Sequence, residues 1–564
     1  MNYFRIVQPQ TIGKALDLVV AELKNPSADT ATLLGPKLVK FALVVFGCAV
    51  LMGLFMYFMR QTIIVMSRLI EYDMREVIYN HYSNLDQSFY RKQTTGDLMS
   101  RITEDVNKVR MYLGPAILYA IDLGALIVIV VFSMFKVDTV LSLYTLLPLP
   151  FLSISIYYVS TVINKRSTRI QQQLAKITSI AQEVYSGIRI VKSYNKEQAM
   201  SALFAEETEH YKLSTWELSK INAMFFPLIM LLTGISTVII VWAGAYRVQS
   251  GAVTTGNIAE FVIYINMLAW PVTAIGWLAS IIQQAEASMK RINEFLNIQP
   301  AVETTGVLKP DKLKGRIDFK DVSFTYANTG ITALQNLSFT IEPGSRVAII
   351  GKTASGKTTL AELLLRLFDI QQGQILIDGI DIKKYSLSEL RKKIGYVPQD
   401  QFLFSESIED NIRLGDASKS NEEIRLAASN AVILNEIDRL PEKEKTIIGE
   451  RGVTLSGGQK QRISIARALV KDPDILLLDD CLSAVDTSTE KAILESFDQS
   501  LASKTAILIT HRVSHLYNFN QIIVLDKGHV AEMGTHDELL EQRGIYAELL
   551  EQQRWEEKAG ELVE

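Results

Sequence analysis

The sequence is poor in cysteine and has almost no net charge. Its 564 residues include two cysteines, and 58 basic residues stand against 62 acidic ones. Nothing in this near-neutral balance indicates a nucleic-acid polyanion as a general partner, and we expect none. Cys48 and Cys481 lie far apart in contrasting segments, so we expect no disulfide and a reducing environment. The first ten residues, "MNYFRIVQPQ", lack a charged stretch followed by an uninterrupted apolar one, so we expect no signal peptide before the apolar segments.

The sequence does have long apolar runs, all of them before residue 285. Each is long enough to cross a hydrocarbon core, which takes about 20 residues. The five runs are Phe41 to Phe58, Met111 to Phe135, Thr139 to Ile163, Ala223 to Val248, and Phe261 to Ile282. Buried helices of a large soluble core are the alternative, but five such runs in one half argue against it. The sequence therefore predicts an α-helical, polytopic membrane domain over residues 1–298.

Basic residues indicate the orientation of these runs. The long connections 59–110 and 164–222 are rich in Lys and Arg, whereas 136–138 and 249–259 are short and nearly free of them. Because basic loops stay inside, we expect the long connections and everything after residue 285 to face the cytosol. Apolar residues at three- and four-residue intervals predict that both long connections are helical. We expect a multi-pass protein of the cytoplasmic (inner) membrane.

A different pattern follows a polar linker over residues 299–316. "GRIDFKDVSFTY" alternates like a half-buried strand, while "RVAII", "ILLLD" and "TAILIT" are short apolar runs suited to a buried parallel sheet. Helical stretches alternate with these runs. The sequence therefore predicts an α/β nucleotide-binding domain over residues 317–555, followed by a polar tail over 556–564.

The segment "GKTASGKTT" fits the phosphate-binding pattern G-x-x-x-x-G-K-[ST] between a strand and a helix. Its backbone amides and the helix N-terminus attract phosphate, with Lys357 reaching the β- and γ-phosphates and Thr358 binding Mg²⁺. Asp479, at the end of "ILLLD", suits a second Mg²⁺ contact. A glycine-rich turn and a solvated acid are the alternatives. The predicted ATP-binding residues here are Gly351, Lys352, Thr353, Ala354, Ser355, Gly356, Lys357, Thr358 and Thr359.

The segment "LSGGQKQR" at 455–462 resembles the signature of ABC ATPases, and nearly the whole chain resembles an ABC exporter half-transporter. Other segments match in the expected order. "TIIGERG" at 446–452 resembles the exporter X-loop, and "TTGDLMSRITEDV" and "GIRIVKSYNKE" resemble exporter intracellular loops. The resemblance implies an ABC exporter-type membrane domain followed by a P-loop ABC ATPase domain, with ATP and Mg²⁺ as cofactors.

The resemblance also assigns single residues. It implies that Tyr326 stacks on adenine, that Gln399 contacts Mg²⁺ and senses the membrane domain, that Asp486 is the D-loop acid, and that His511 is the switch histidine. In this family the signature of one chain closes over the ATP of its partner. The signature residues are Ser456, Gly457, Gly458 and Gln459. One chain is therefore half of a transporter and needs a second half.

Asp480 departs from the family pattern, which usually has Glu at this position to polarise the attacking water. Asp is shorter by roughly 1.5 Å, and a misplacement of about 1 Å can cost on the order of a hundredfold in rate. We therefore expect a site with Asp480, Gln399 and His511 as its catalytic residues to bind ATP but hydrolyse it slowly. The intact signature favours a heterodimer in which a partner supplies the faster site; a homodimer with two slow sites stays open.

The number of apolar runs is a second departure, because half-exporters of this family have six spanning helices. "IVQPQTIGKALDL" resembles the end of the first helix, but the apolar segment before it is absent. An internal start, a truncation and a real loss are the explanations, and we favour an incomplete start. The expected fold is therefore an exporter-type membrane domain that lacks its first spanning helix.

The resemblance implies ATP-driven export of a lipid-like or amphipathic, drug-like substrate across the lipid bilayer by alternating access. An ATP-gated channel or a regulatory ABC subunit without active transport is the alternative, and an importer is disfavoured because membrane and ATPase parts share one chain. Asp122 lies inside the second apolar run, where an acid usually faces a cavity or a partner. It contacts either a cationic substrate or a neighbouring helix.

Overall fold

The computed structural model describes residues 1–24, 30–449, 452, 454–500, 503–513 and 516–561. Its backbone contacts divide the chain into two units: Met1–Tyr82 with Thr95–Ile298, and Ser83–Thr94 with Gln299–Glu564. The short segment Ser83–Thr94, which the sequence assigns to the membrane domain, thus groups with the second unit. The boundaries 1–298, 299–316, 317–555 and 556–564 stay predictions.

Long helices form the first half of the chain, because its apolar runs and the amphipathic connections between them share a helical period. Among the described residues, two π-helical turns, Arg101–Asp105 and Tyr112–Ala116, lie between Thr95 and Val137. The α-helices are α1 (Asn2–Lys24), α2 (Thr30–Asn84), α3 (Gln87–Tyr90), α4 (Thr95–Ser100), α5 (Val106–Met111), α6 (Ile117–Val137), α7 (Thr139–Leu146), α8 (Pro148–Ser186), α9 (Ile188–Ser193), α10 (Glu197–Gln249) and α11 (Thr255–Leu296).

Five helical stretches among the described residues are long and apolar enough to cross a membrane. They are Leu34–Asn84, Thr95–Val137, Thr139–Ser186, Glu197–Gln249 and Thr255–Leu296. Each contains one of the five predicted apolar runs, which confirms that prediction by length and composition. The long connection 164–222 is also helical, since it is formed by the ends of α8 and α10 with α9 between them.

Helix α1 lies against α11 where glycine faces glycine. A Cβ atom added to Gly256 would lie 2.1 Å from the carbonyl oxygen of Gly13, so no larger residue fits at this crossing. Next to it, the carboxylate of Asp17 accepts hydrogen bonds from the Gly256 N–H and the Thr254 hydroxyl, both at 2.6 Å. This carboxylate satisfies an amide at the start of α11 that has no partner within the helix. The contacts fix the end of α1 beside the start of α11.

The described residues of the second unit form two β-sheets flanked by short helices. Its strands are β1 (Ile317–Thr325), β2 (Thr332–Ile341), β3 (Arg346–Gly351), β4 (Gln372–Ile377), β5 (Ile380–Asp381), β6 (Ile394–Val397), β7 (Ile475–Asp479), β8 (Thr505–Ile509), β9 (Gln521–Asp526) and β10 (His529–Gly534). Its further helices are α12 (Lys357–Leu364), α13 (Leu387–Lys393), α14 (Ile408–Arg413), α15 (Asn421–Asn430), α16 (Leu434–Ile437), α17 (Gly457–Leu469), α18 (Thr487–Ser500), α19 (His536–Gln542) and α20 (Ile545–Glu561).

The larger sheet has the strand order β10-β9-β3-β8-β7-β6 in the described part of the unit, and all its neighbouring strands except β10 and β9 are parallel. The three runs predicted to form a buried parallel sheet are β3, β7 and β8, which confirms that prediction. The smaller sheet, β2-β1-β4-β5, is antiparallel.

The parallel register brings the ends of three strands together. Strand β3 ends at Gly351, and Asp479 at the end of β7 pairs with Ile509 at the end of β8. Because the carboxyl ends of parallel strands share one edge of the sheet, the residues that follow them converge there. That edge carries the predicted phosphate loop, Asp479 and Asp480, and His511.

Candidate active site

The phosphate loop depends on two glycines that no other residue can replace without strain. Gly351 and Gly356 have φ angles of +152° and +100°. A Cβ atom at Gly351 would lie 2.2 Å from the carbonyl oxygen of Leu525, and one at Gly356 would lie 2.5 Å from that of Ala333. The bare backbone therefore turns sharply between β3 and α12 and directs its amides around the N-terminus of α12.

Lys357 is held inside this loop. Its ammonium donates hydrogen bonds to the carbonyl oxygens of Gly351 at 2.8 Å and Lys352 at 2.9 Å. Burial lowers the pKa of the Lys357 side chain below its ordinary value, and the nearby carboxylates of Asp480 and Asp479 partly oppose that shift. A positive charge buried at the centre of the loop is an anchor for phosphate oxygens.

Thr358 and Asp479 fit a divalent cation. The Thr358 hydroxyl donates to Oδ1 of Asp479 at 3.3 Å, while Oδ2 of this carboxylate is buried and has no hydrogen-bond partner among the described residues. Burial raises the pKa of Asp479 to about 6. A hard cation such as Mg²⁺ prefers carboxylate and hydroxyl oxygens and would satisfy the unpaired atom. Both residues predicted to contact the metal at this position therefore lie together.

Asp480 follows on a fixed backbone. Its N–H donates to the carbonyl oxygen of Ile509 at 2.8 Å, and its φ angle of +45° lies in the left-handed region. The amide of Gln399 donates to Oδ2 of Asp480 at 3.4 Å, which is close to the limit for a hydrogen bond. The two predicted catalytic residues are thus neighbours, joined by a long contact.

His511 completes this edge. Partial burial and the positive charge of Lys357 lower the pKa of the His511 imidazole, while the Asp480 carboxylate acts in the opposite direction. This shift favours the neutral form of the imidazole. A neutral imidazole presents one N–H donor and one acceptor to a ligand.

Tyr326 contacts the end of the phosphate loop through its hydroxyl, and the guanidinium of Arg91 lies over its ring. The hydroxyl lies 2.8 Å from the Thr359 hydroxyl and donates to Oε2 of Glu362 at 2.8 Å. The guanidinium of Arg91 lies 4.9 Å from the centres of both the Tyr326 and Phe368 rings and forms an ion pair with Glu362.

Sequence reasoning missed Arg91 and Glu362, because they are 271 residues apart and belong to no motif. Glu362 is buried, and a buried carboxylate needs such partners. Arg91 belongs to Ser83–Thr94, the segment that groups with this unit. The short connection after α2 is therefore in direct contact with the residue predicted to stack on adenine.

The signature residues form the start of α17. The Ser456 hydroxyl accepts a hydrogen bond from the Gln459 N–H at 3.3 Å, and the Gln459 side chain accepts one from the Ser456 N–H at 2.9 Å. This reciprocal pair caps the helix and leaves Ser456 and Gly457 exposed. A Cβ atom added to Gly458 would lie 3.1 Å from the Ala484 carbonyl oxygen, so the tip is closely backed by the chain after β7.

Asp486 lies in that same stretch of chain. Hydrogen bonds from the Ser488 hydroxyl at 2.6 Å and the Thr489 N–H at 2.9 Å hold the pKa of the Asp486 carboxyl well below its usual range. Its carboxylate thereby stabilises the start of α18. Of the predicted X-loop 446–452, Glu450 and Arg451 lie outside the described residues.

The structure thus gathers one set of predicted residues and leaves another apart. The phosphate loop, Asp479, Asp480, Gln399, His511 and Tyr326 converge. No hydrogen bond or ion pair among the described residues links Ser456–Gln459 or Asp486 to the phosphate loop of the same chain. The second group is the one that the family resemblance assigns to a partner's nucleotide.

Comparison with known proteins gives matches over both halves of the chain. Residues 3–272 match the family described as "ABC transporter transmembrane region", and residues 334–483 match "ABC transporter". The chain is 35% identical to the probable multidrug resistance ABC transporter ATP-binding/permease protein of Bacillus subtilis (strain 168), over 98% of this chain and 93% of that protein. It is 34% identical to the ATP-dependent lipid A-core flippase of Pseudomonas fluorescens (strain Pf0-1), over 85% and 79%.

A solved structure, that of a bacterial Atm1-family ABC exporter with ATP bound, matches with a TM-score of 0.79 and 26% identity, over 98% of this chain and 96% of that one.

Proposed function

The chain belongs to the ABC transporter family as a multi-pass membrane region fused to an ABC ATPase domain, and from that premise we propose that it is one half of an ATP-driven exporter. The cargo is an amphipathic molecule, lipid-like or drug-like, moved across the cytoplasmic membrane by alternating access. The relatives named for multidrug resistance and for lipid A-core flipping support this class of cargo. The ATPase unit lies in the cytosol.

One observation carries the proposal: a buried lysine and a buried aspartate with an unpaired oxygen meet at the sheet edge of a chain whose first half is made of candidate spans. The loop amides and Lys357 bind the phosphates of ATP, and Thr358 and Asp479 hold Mg²⁺, which neutralises phosphate charge. Asp480 orients the attacking water and accepts its proton, while neutral His511 donates a hydrogen bond toward the γ-phosphate.

We propose that hydrolysis at this site is slow. The backbone of Asp480 is fixed by its hydrogen bond to Ile509, so the chain cannot advance to compensate for the short side chain. The exposed signature, by contrast, has the full set of residues for sealing a partner's nucleotide. Both features favour a heterodimer whose second half supplies the faster site. A homodimer with two slow sites is the other arrangement, and the turnover of the chain with and without a candidate second half separates them.

Coupling to the membrane region follows from the place of Arg91. Helix α2 contains a candidate span and continues to Asn84, only a few residues before α3 and Arg91. Because Arg91 lies on the ring of Tyr326, binding of a base there perturbs a segment covalently continuous with a spanning helix. Coupling requires an element that both sites bias, and we propose that this connection is that element.

The test is uptake of a fluorescent amphiphile into inside-out membrane vesicles containing the chain, alone and with a candidate second half. ATP should drive accumulation against a gradient, and Lys357→Ala should abolish it. The matched control is Lys320→Ala, since Lys320 is an exposed lysine of the same unit that lies outside the phosphate loop. Conductance that follows ATP binding, with no accumulation of the amphiphile and no substrate-stimulated turnover, would contradict the exporter proposal. It would support an ATP-gated channel.

A further inference from the structure

Side chains of Met1 and of helices α1, α2, α6 and α11 line a cavity of about 240 Å³ within the first unit. Three of its lining side chains are charged: Arg5 on α1, Arg60 on α2 and Asp122 on α6. Sequence reasoning singled out only Asp122. The cavity lies wholly in the helical unit and has no part in the nucleotide site.

The helices themselves give the depth of this cavity. Asp122 precedes the end of α6 at Val137 by 15 residues, and Trp270, also on the lining, follows the start of α11 at Thr255 by 15 residues. At about 1.5 Å per residue both lie about 22 Å from the ends of their helices. A hydrocarbon core is about 30 Å thick. In the proposed orientation those ends face outward, so the cavity lies at the depth of the inner leaflet.

Charged side chains at this depth need hydrogen-bond or ion-pair partners. The three charged side chains of the cavity have few partners among the described residues. The carboxylate of Asp122 and the guanidinium of Arg5 have no hydrogen bond or ion pair among the described residues. Arg60 reaches only the Tyr119 hydroxyl, at 3.5 Å. Ionised groups inside a membrane usually face a cavity or a partner and mark a pathway or site. Among the lining side chains, two guanidinium groups stand against one carboxylate, which is an excess of one positive charge.

The rest of the lining is apolar and adaptable. Met56, Met59 and Met267 contribute thioether side chains, which adapt to ligands of different shape. Tyr119 contacts the rings of Trp270 and Trp277 edge-on, with ring centres 5.7 Å apart in both pairs. A polar group at one side and flexible apolar groups at the other form a site for a molecule with a charged head and an apolar body.

We propose that this cavity binds amphiphiles with an anionic head group, a phosphate or a carboxylate, between Arg5 and Arg60. Guanidinium groups bind such anions through paired N–H donors. Asp122 opposes this attraction and keeps binding weak enough for release, so it does not select a cation. The inference rests on the proposed function, because it names the chemical class of cargo for the same exporter.

The cavity's own tryptophan provides a test that needs no ATP. Trp216, Trp242 and Trp555 are replaced by Phe in the full chain, so that Trp270 and Trp277 report alone. The probes are a bromine-tipped alkyl phosphate and an alkyl trimethylammonium of the same length, whose bromine quenches nearby tryptophan. The phosphate should quench saturably. Quenching by the trimethylammonium at equal or lower concentration would overturn the proposal.

Substitutions of the charged residues test whether they bind the alkyl phosphate. The double variant Arg5→Gln, Arg60→Gln should bind the alkyl phosphate at least about tenfold more weakly, since a hydrogen bond to a charged group is worth about 1.5–3 kcal/mol. Asp122→Asn should bind it more tightly, a change that misfolding cannot produce. Lys136→Gln is the matched control, because Lys136 is an exposed cation on the same helix far from the cavity. Unchanged affinity in the double variant would remove the site.

Two further measurements, competition by inorganic phosphate and transport by the same chain, distinguish the possible explanations of the quenching. Inorganic phosphate that displaces the probe at the same concentration as unbrominated alkyl phosphate would overturn the amphiphile part of the proposal. Saturable binding in a chain that fails to transport would refute the proposed function and leave the cavity's assignment intact. ATP-driven uptake of cationic amphiphiles without alkyl phosphate binding would support the proposed function and refute the assignment of the cavity.

Discussion

Lengthening the acid at position 480 tests the chemistry most sharply. Asp480→Glu adds one methylene on a backbone that cannot move, because the Asp480 N–H is bonded to Ile509 at 2.8 Å and β7 and β8 are in register up to Asp479. In the native chain the Asp480 carboxylate meets Gln399 only at 3.4 Å. The added reach should carry the carboxylate toward the position from which it orients water.

The size of the effect follows from that distance. Correcting a misplacement of about 1 Å is worth up to about a hundredfold in rate, so Asp480→Glu should raise kcat by about 10- to 100-fold. The corresponding fall in the barrier is about 1.4–2.7 kcal/mol. The KM for ATP should change little, because the added contact is made in the transition state and not in the ground state.

The substitution also has a cost that separates folding from catalysis. Asp480 has a φ angle of +45°, a conformation that Asp tolerates better than Glu because its short side chain bonds locally. We expect a stability loss below about 2 kcal/mol, visible as a lower Tm. A variant with a lower Tm and a higher kcat would show that the two effects are distinct.

The assay is steady-state phosphate release by the purified chain in nanodiscs, alone and with a candidate second half. Asp480→Asn should be slower than the native chain, and the double variant Asp480→Glu, Lys357→Ala should be inactive. Vigorous turnover by the native chain alone, unaffected by Asp480→Glu, would refute the reasoning and with it the slow site.

Three other predictions address metal, coupling and packing. Asp479→Asn should remove stimulation of turnover by Mg²⁺ while metal-free ATP still binds; full stimulation would show that Asp479 holds no metal. Arg91→Ala should speed hydrogen–deuterium exchange of residues 83–94 about fivefold, for a loss of about 1 kcal/mol of cation–π and ion-pair contact, whereas the exposed neighbour variant Lys92→Ala should not. Gly256→Ala should destabilise the helical unit by about 1–3 kcal/mol, because its Cβ meets Gly13, and Gly124→Ala, which meets nothing within 4 Å, should leave the Tm unchanged.

The parts of the fold that depend on neighbouring residues in the chain could be predicted from the sequence. The apolar runs predicted the candidate spans, and the strand–loop–helix around Lys357 and the acid ending "ILLLD" placed the phosphate and metal residues. These features have a short sequence period or a fixed spacing, so one stretch of chain contains the whole signal.

Contacts between distant residues could not be predicted in this way. Arg91 and Glu362 pair across 271 residues, and Asp17 bonds Gly256 across 239. The charged cavity is a similar case, since Arg5, Arg60 and Asp122 lie on three different helices. Sequence alone showed Asp122 without its two basic neighbours, and therefore left open a cationic ligand or a contact with a neighbouring helix, whereas we propose an anionic ligand from the assembled helices.

We propose above all that the loop at 351–358 holds a nucleoside triphosphate through Lys357. The most direct measurement is equilibrium binding of Mg²⁺·ATP to the purified full chain, native and with Lys357→Ala. The native chain should bind saturably, and the variant should lose at least about tenfold in affinity, as expected for a charged hydrogen bond to phosphate. Equal binding by the two proteins, or none by either, would contradict the account.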